Sequence, residues 1–562
     1  RYTDQMKFSL LKRAAALSVA AVLLLPAALP ADQGDVFDSP EMMFHFLAAE
    51  VAVGQGDLES AFEHYMQVVP YALDVDVASR ATRIGLHIKS PQAIEAAQIW
   101  TELAPDELEA WQALLILRIK SGDIEGSDTA VESLMRAAEK QGKDGFMQIA
   151  IVVSDQKELP AAREIIESLA ERHADDAGAQ YALGVALFGM KDDAAAEAAL
   201  RRSLDLNKDD PRIWLLLSRV YEMQEREELS EETLRQGLEQ LPDNQLLRLA
   251  LAERLVSHEN YEGAYEQFRI LHDALPANDE ISQALGGLTI ELGKWEEARE
   301  IWDALLDKPG RRDRAHYFLA QVEQNTGNPE AAYKLYEKVD GLLMTDARIQ
   351  MSRLLVEQEK IEEALKLLTV QRLLSSEDAI RLYLEEATVL SDAGRDIEVM
   401  ELLDKALEEF PLHSDLLYAR ALQGEKMGDI GILERDLRRV LEQEPDHAQA
   451  LNALGYTLAD ETTRYEEAFE LISKAYELMP ESAAILDSMG WVHYRRGNLD
   501  EAIKFLEKAA SADDDGEIAA HLGEVYWAKG WRDKAMKVWM DALQRDPENP
   551  YVVSTMERLQ AK

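Results

Sequence analysis

The chain contains no cysteine in 562 residues. That excludes disulfides, thiolate metal sites and cysteine nucleophiles. Basic residues are the second shortage: 60 Lys and Arg stand against 106 Asp and Glu, for a formal net charge of −46. Such a field repels nucleic acid and anionic membrane surfaces. The acids are spread along the chain, so they read as a solvated surface. Signatures of catalysis are missing as well. The 11 histidines are scattered and none falls in a His-Glu-x-x-His pattern. There is no Gly-x-x-x-x-Gly-Lys-Ser/Thr loop for phosphates and no Gly-x-Ser-x-Gly elbow. Gly286-Gly287 follows no strand pattern, so a dinucleotide fingerprint fails. The reading is of a chain without catalytic residues, cofactor or metal, and not an enzyme.

What is present begins at the amino terminus. Met6 reads as the translation start, followed by Lys7, Lys12 and Arg13 as a positive region. Ala14 to Leu25 is an apolar run, and small residues follow at Ala27, Ala28 and Ala31. This order predicts a secretory signal peptide over residues 1–31. The run is short for a bilayer span, which takes about 20 residues. Leu29-Pro30-Ala31 resembles the approach to a lipoprotein cleavage site, but Asp32 stands where the lipidated cysteine would. No diacylglycerol can be attached there. Two states stay open: a mature protein free in the periplasm, or one held at the membrane by its first segment. Residues 32–40, with Gly34 and Pro40, read as a linker.

The rest of the chain repeats itself. Met489-Gly490 is followed by Gly497, Ala502, Leu506 and Ala509; Leu522-Gly523 is followed by Gly530, Ala535, Trp539, Ala542 and Pro547. Leu454-Gly455 opens another copy, with Ala468, Ile472, Ala475 and Pro480 and a one-residue insertion near Tyr465. Leu285-Gly286, Leu251-Ala252 and Leu183-Gly184 continue the register upstream. Trp214, Leu217 and Tyr221 show helical spacing within a copy. Glycine in mid-copy ends one helix, and proline near the end closes the next or opens its successor. A period of about 34 over residues 41–562 predicts about 15 helix pairs. Carboxylate pairs such as Glu296-Glu297 and Glu466-Glu467 recur at one repeat position, as solvated helix starts.

This pattern resembles the tetratricopeptide repeat family over nearly the whole mature chain. The resemblance implies an all-α fold, a right-handed superhelical solenoid with a C-terminal capping helix at 551–562. Repeats are expected at 177–344, well-formed ones at 381–550, and degenerate ones at 41–176 and 345–380. Positions one and four after the small crossing residue are expected to line the concave groove. In the last copies these are Tyr456, Trp491, Tyr494 and Trp527, with Arg495, His521 and Glu524 nearby. Aromatic rings beside a few polar groups suit capture of a peptide or partner helix; equally, they suit packing between repeats.

Export signal, size and repeat content together are similar to the tetratricopeptide lipoproteins of Gram-negative envelopes that serve as adaptors of carboxyl-terminal processing proteases. That likeness implies a periplasmic scaffold, associated with the outer membrane or free, which activates such a protease and delivers substrates such as cell-wall hydrolases. The alternative is a scaffold for polysaccharide export or outer-membrane biogenesis. A cytoplasmic co-chaperone would want a basic carboxylate clamp, which Tyr456, Asp460 and Glu524 do not offer.

Overall fold

A computed structural model describes residues 39–157 and 159–560. The leader expected over residues 1–31, and the linker as far as residue 38, lie outside the described residues. Pro40, assigned to the linker, is the first residue of the first helix, Pro40–Gln55. Its fixed φ suits that position, where no N–H is needed.

The described residues hold 31 α-helices and no strand. Consecutive helices pair, and Pro550–Gln560 is left single at the end, where the capping helix was expected. The described residues divide into two compact units, one ending at Ile301 and the other beginning at Trp302. No described helix is long and apolar enough to cross a membrane.

Two residue types make each pair. The first helix of one pair, Ala483–Arg495, crosses Leu499–Ala512 at Gly490. A Cβ on Gly490 would lie 2.5 Å from Leu506 Cγ and 3.1 Å from the Ala502 carbonyl oxygen. Only a missing side chain allows that approach. Gly497 then turns the chain with φ +82°, a conformation that disfavours side chains. Sequence reasoning expects glycine at this turn. Lys191, Glu225, Glu259 and Glu359 take the same left-handed conformation, with φ between 58° and 64°. The turn persists there because the packed helices on both sides over-determine it.

Helices continue where the repeat signature fades. Residues 41–176 contain complete helices from Leu58–Ala72 to Pro160–Arg172. Alanines fill the crossings there, with Ala61, Ala93, Ala97 and Ala162 fully buried. Trp100 is also fully buried, its Nε1 donating to Glu107 at 2.7 Å. These residues do the packing without the family's usual letters, so the helices outlast the pattern.

The carboxylate pairs are more than solvated helix starts. Glu466 pairs with Arg496 at 2.8 Å, and Glu467 with Arg438 and Arg464 at 2.6 Å each. Arg464 also reaches Glu434, and Arg395 reaches Glu362. All but the local Arg464–Glu467 pair tie one repeat to the next. They are largely exposed and worth about 0–1 kcal/mol apiece, so they set register more than they stabilise.

Candidate functional site

The first helices of the last repeats, Ala448–Glu461, Ala483–Arg495 and Gly516–Ala528, lie side by side in the second unit. Six of the seven residues expected in the groove come together on them in one network. Tyr456 Oη donates to Glu517 Oε1 at 2.6 Å and lies 3.4 Å from His521 Nε2. That bond joins helices two repeats apart and closes over the helix between them. Trp491 sits on that middle helix. Its ring stacks on His521 with centroids 4.0 Å apart, and its Nε1 donates to Asp460 Oδ1 at 3.0 Å.

His521 is held from the other side by Asp487, Nδ1 to Oδ2 at 2.9 Å. Arg495 donates to the Asp460 backbone oxygen at 2.7 Å and to Oδ1 at 3.1 Å. Tyr494 Oη donates to Glu524 Oε1 at 3.2 Å, and Arg558 of the capping helix reaches the same oxygen from Nη1 at 3.0 Å. Trp527 stands apart from the network. Arg532 lies over its ring, 3.5 Å from the centroid, and Trp539 packs beside it.

Burial shapes the electrostatics. It opposes a charge on His521, but Asp487 more than compensates and raises the imidazole above its ordinary value. Glu517 is raised mainly by burial. Tyr494 is pushed up to about 12 by burial and the Glu524 carboxylate. Trp491, His521 and Glu524 are buried, whereas Tyr456, Tyr494, Arg495 and Trp527 keep partial exposure. The arrangement therefore locks helices together and offers a partner only the rims of four side chains. Among the described residues no group of three or more His, Asp or Glu is placed to hold a metal ion.

The expected set left out four members, Asp460, Asp487, Glu517 and Arg558. Asp487 lies one helical turn before Trp491, so the groove stripe could have been extended backward to it. Glu517 likewise lies one turn before His521 on the same helix, whereas Arg558 enters from the capping helix. No local spacing announces Arg558.

Signatures described as tetratricopeptide repeat match residues 154–220, 284–347, 446–515 and 517–549. A TPR repeat-containing protein of Pseudomonas aeruginosa is 34% identical over 489 residues, covering 86% of this chain and 82% of its own length. The chain belongs to the tetratricopeptide repeat family. As a family member it is built to bind protein partners. It is also similar to the CTR9 homolog of Arabidopsis thaliana, 24% identical over 251 residues, 42% of this chain and 23% of that protein. Among solved structures, a thermophilic TPR protein of Thermus thermophilus is 22% identical, with 32% of this chain and 97% of that chain covered at a TM-score of 0.29.

Proposed function

We propose that this tetratricopeptide protein is a non-enzymatic adaptor of a bacterial cell envelope. It binds and activates a periplasmic carboxyl-terminal processing protease and brings it substrates such as cell-wall hydrolases. The supporting observation is the extent of the repeats. Helix pairs occupy the described residues from Pro40 onward and leave no span there for a separate catalytic fold. The charged, apolar and small-residue order of residues 6–31 supports export, and a bacterial relative shares most of the chain.

The test is reconstitution. The full chain, mixed with a purified processing protease of the same envelope, is expected to co-elute with it and to raise its rate on a cell-wall hydrolase. A protease that neither binds nor responds removes this reading. Co-purification with a secretion or synthase complex instead would favour the assembly scaffold.

A further inference from the structure

Three successive repeat ends in the second unit carry exposed leucine in or beside the inter-repeat turn. The usual turns read Pro242-Asp243-Asn244, Pro276-Ala277-Asn278, Asp513-Asp514-Asp515 and Pro547-Glu548-Asn549. The leucine-bearing ones are the turn Gly341–Leu343 before Met344–Glu357, the last two residues of Ile361–Leu374, and the turn after Asp396–Glu409, where Leu412 follows Pro411. There Leu342 is 97% exposed, Leu373 76%, Leu374 73% and Leu412 62%.

The three turns are neighbours. Gln371 Nε2 donates to Thr345 Oγ1 at 3.2 Å, which joins the first turn to the second. Arg372 lies over the Tyr383 ring, 3.8 Å from its centroid, and Tyr383 Oη donates to Glu409 at 3.2 Å, which joins the second to the third.

The leucines are also exposed against the usual preference. Gln371 and Arg372, immediately before Leu373 and Leu374, are buried instead. Arg372 is held by Glu386 at 2.7 Å in a pair sealed from solvent, and Thr369 adds a bond to the same carboxylate. This polar clamp fixes the helix register. A rotation that buried the leucines would expose the arginine and strand Glu386. The result is a row of exposed leucines on three linked repeat ends, an edge that the fold itself keeps turned outward.

Charge selects the occupant. Exposed acids, Asp340, Glu377, Glu408 and Asp415, outnumber the exposed bases Lys338 and Lys405 around this edge. A second copy of a chain with net charge −46 would bring acids against acids. We infer that the edge docks an amphipathic helix of a partner, with a leucine-type apolar face flanked by lysine or arginine. It is a second interaction surface, outside the network of the candidate site. The inference rests on the protein-binding reading above but not on the protease.

The probe is a labelled amphipathic peptide of leucine and lysine, about five turns long, titrated against the full chain at about 0.15 M salt to screen diffuse attraction. The comparison is the chain carrying Leu342→Ser, Leu374→Ser and Leu412→Ser, which keeps the net charge and alters only exposed side chains. The native chain is expected to bind at least about tenfold more tightly than the variant. A scrambled peptide without an apolar face should show no such difference. Equal affinity of native chain and variant, with the same circular dichroism, overturns the proposal. So does leucine-dependent self-association in sedimentation without leucine-dependent peptide binding, which would assign the edge to a second copy. Equal peptide affinities beside intact protease activation would remove the edge and leave the adaptor; the converse result would remove the adaptor alone.

Discussion

At the residue scale the crossings and the buried network respond to different changes. A Cβ at Gly523 would fall 2.0 Å from Nε1 of Trp539, itself fully buried. Gly523→Ala is therefore expected to cost about 1–3 kcal/mol, since overpacking forces the indole aside; an unchanged urea midpoint would contradict the close crossing. His521 makes a pH prediction. Its folded-state pKa lies above the unfolded value of about 6.5, so its contribution is complete below that pH and is lost as pH rises through the folded value. Glu517, raised by burial, slopes the same way at lower pH. The melting temperature of the second unit should thus fall on the alkaline side of about pH 6.5. In His521→Gln that fall should be flattened, although the variant starts lower because Asp487 loses its partner. Parallel pH profiles for the two proteins would refute the assignment.

At the element scale the capping helix Pro550–Gln560 does more than cover an end. Its Val552 joins the buried cluster with Ala519 and Trp539, and Arg558 neutralises the buried Glu524. Deleting residues 550–562 is expected to lower hydrogen-exchange protection in Gly516–Ala528 and Arg532–Arg545 by roughly tenfold, about 1.4 kcal/mol. Protection that stays as in the full chain would reduce the helix to an ornament. This scale is also where the sequence was most readable. Small residues at Gly490 and Ala502, and the glycine turn at Gly497, predict the helix pair directly, because their role is local steric fit. The turns at Lys191, Glu225, Glu259 and Glu359 were not readable, because tertiary packing rather than the residue imposes their left-handed backbone. The network around His521 was half readable. Its aromatic members follow the repeat spacing, and Asp487 and Glu517 lie one turn before two of the candidates, but Arg558 comes from the capping helix and obeys no short period.

At the scale of the whole molecule the net charge of −46 opposes compactness. Raising salt from about 0.01 M to about 0.15 M shortens the screening length from about 30 to about 8 Å, and the melting temperature is expected to rise. A fall on calorimetry would mean that the inter-repeat ion pairs outweigh the diffuse repulsion. Stacked repeats ordinarily answer only to their neighbours. The bond from Tyr456 to Glu517 breaks that rule, since it clasps the helices on either side of Ala483–Arg495. Pulled from the carboxyl end, an ordinary array would peel open hairpin by hairpin. In this chain the stretch from Ala448 to Ala528 would resist until the clasp gave way, then come free in a single rip and release its length at once.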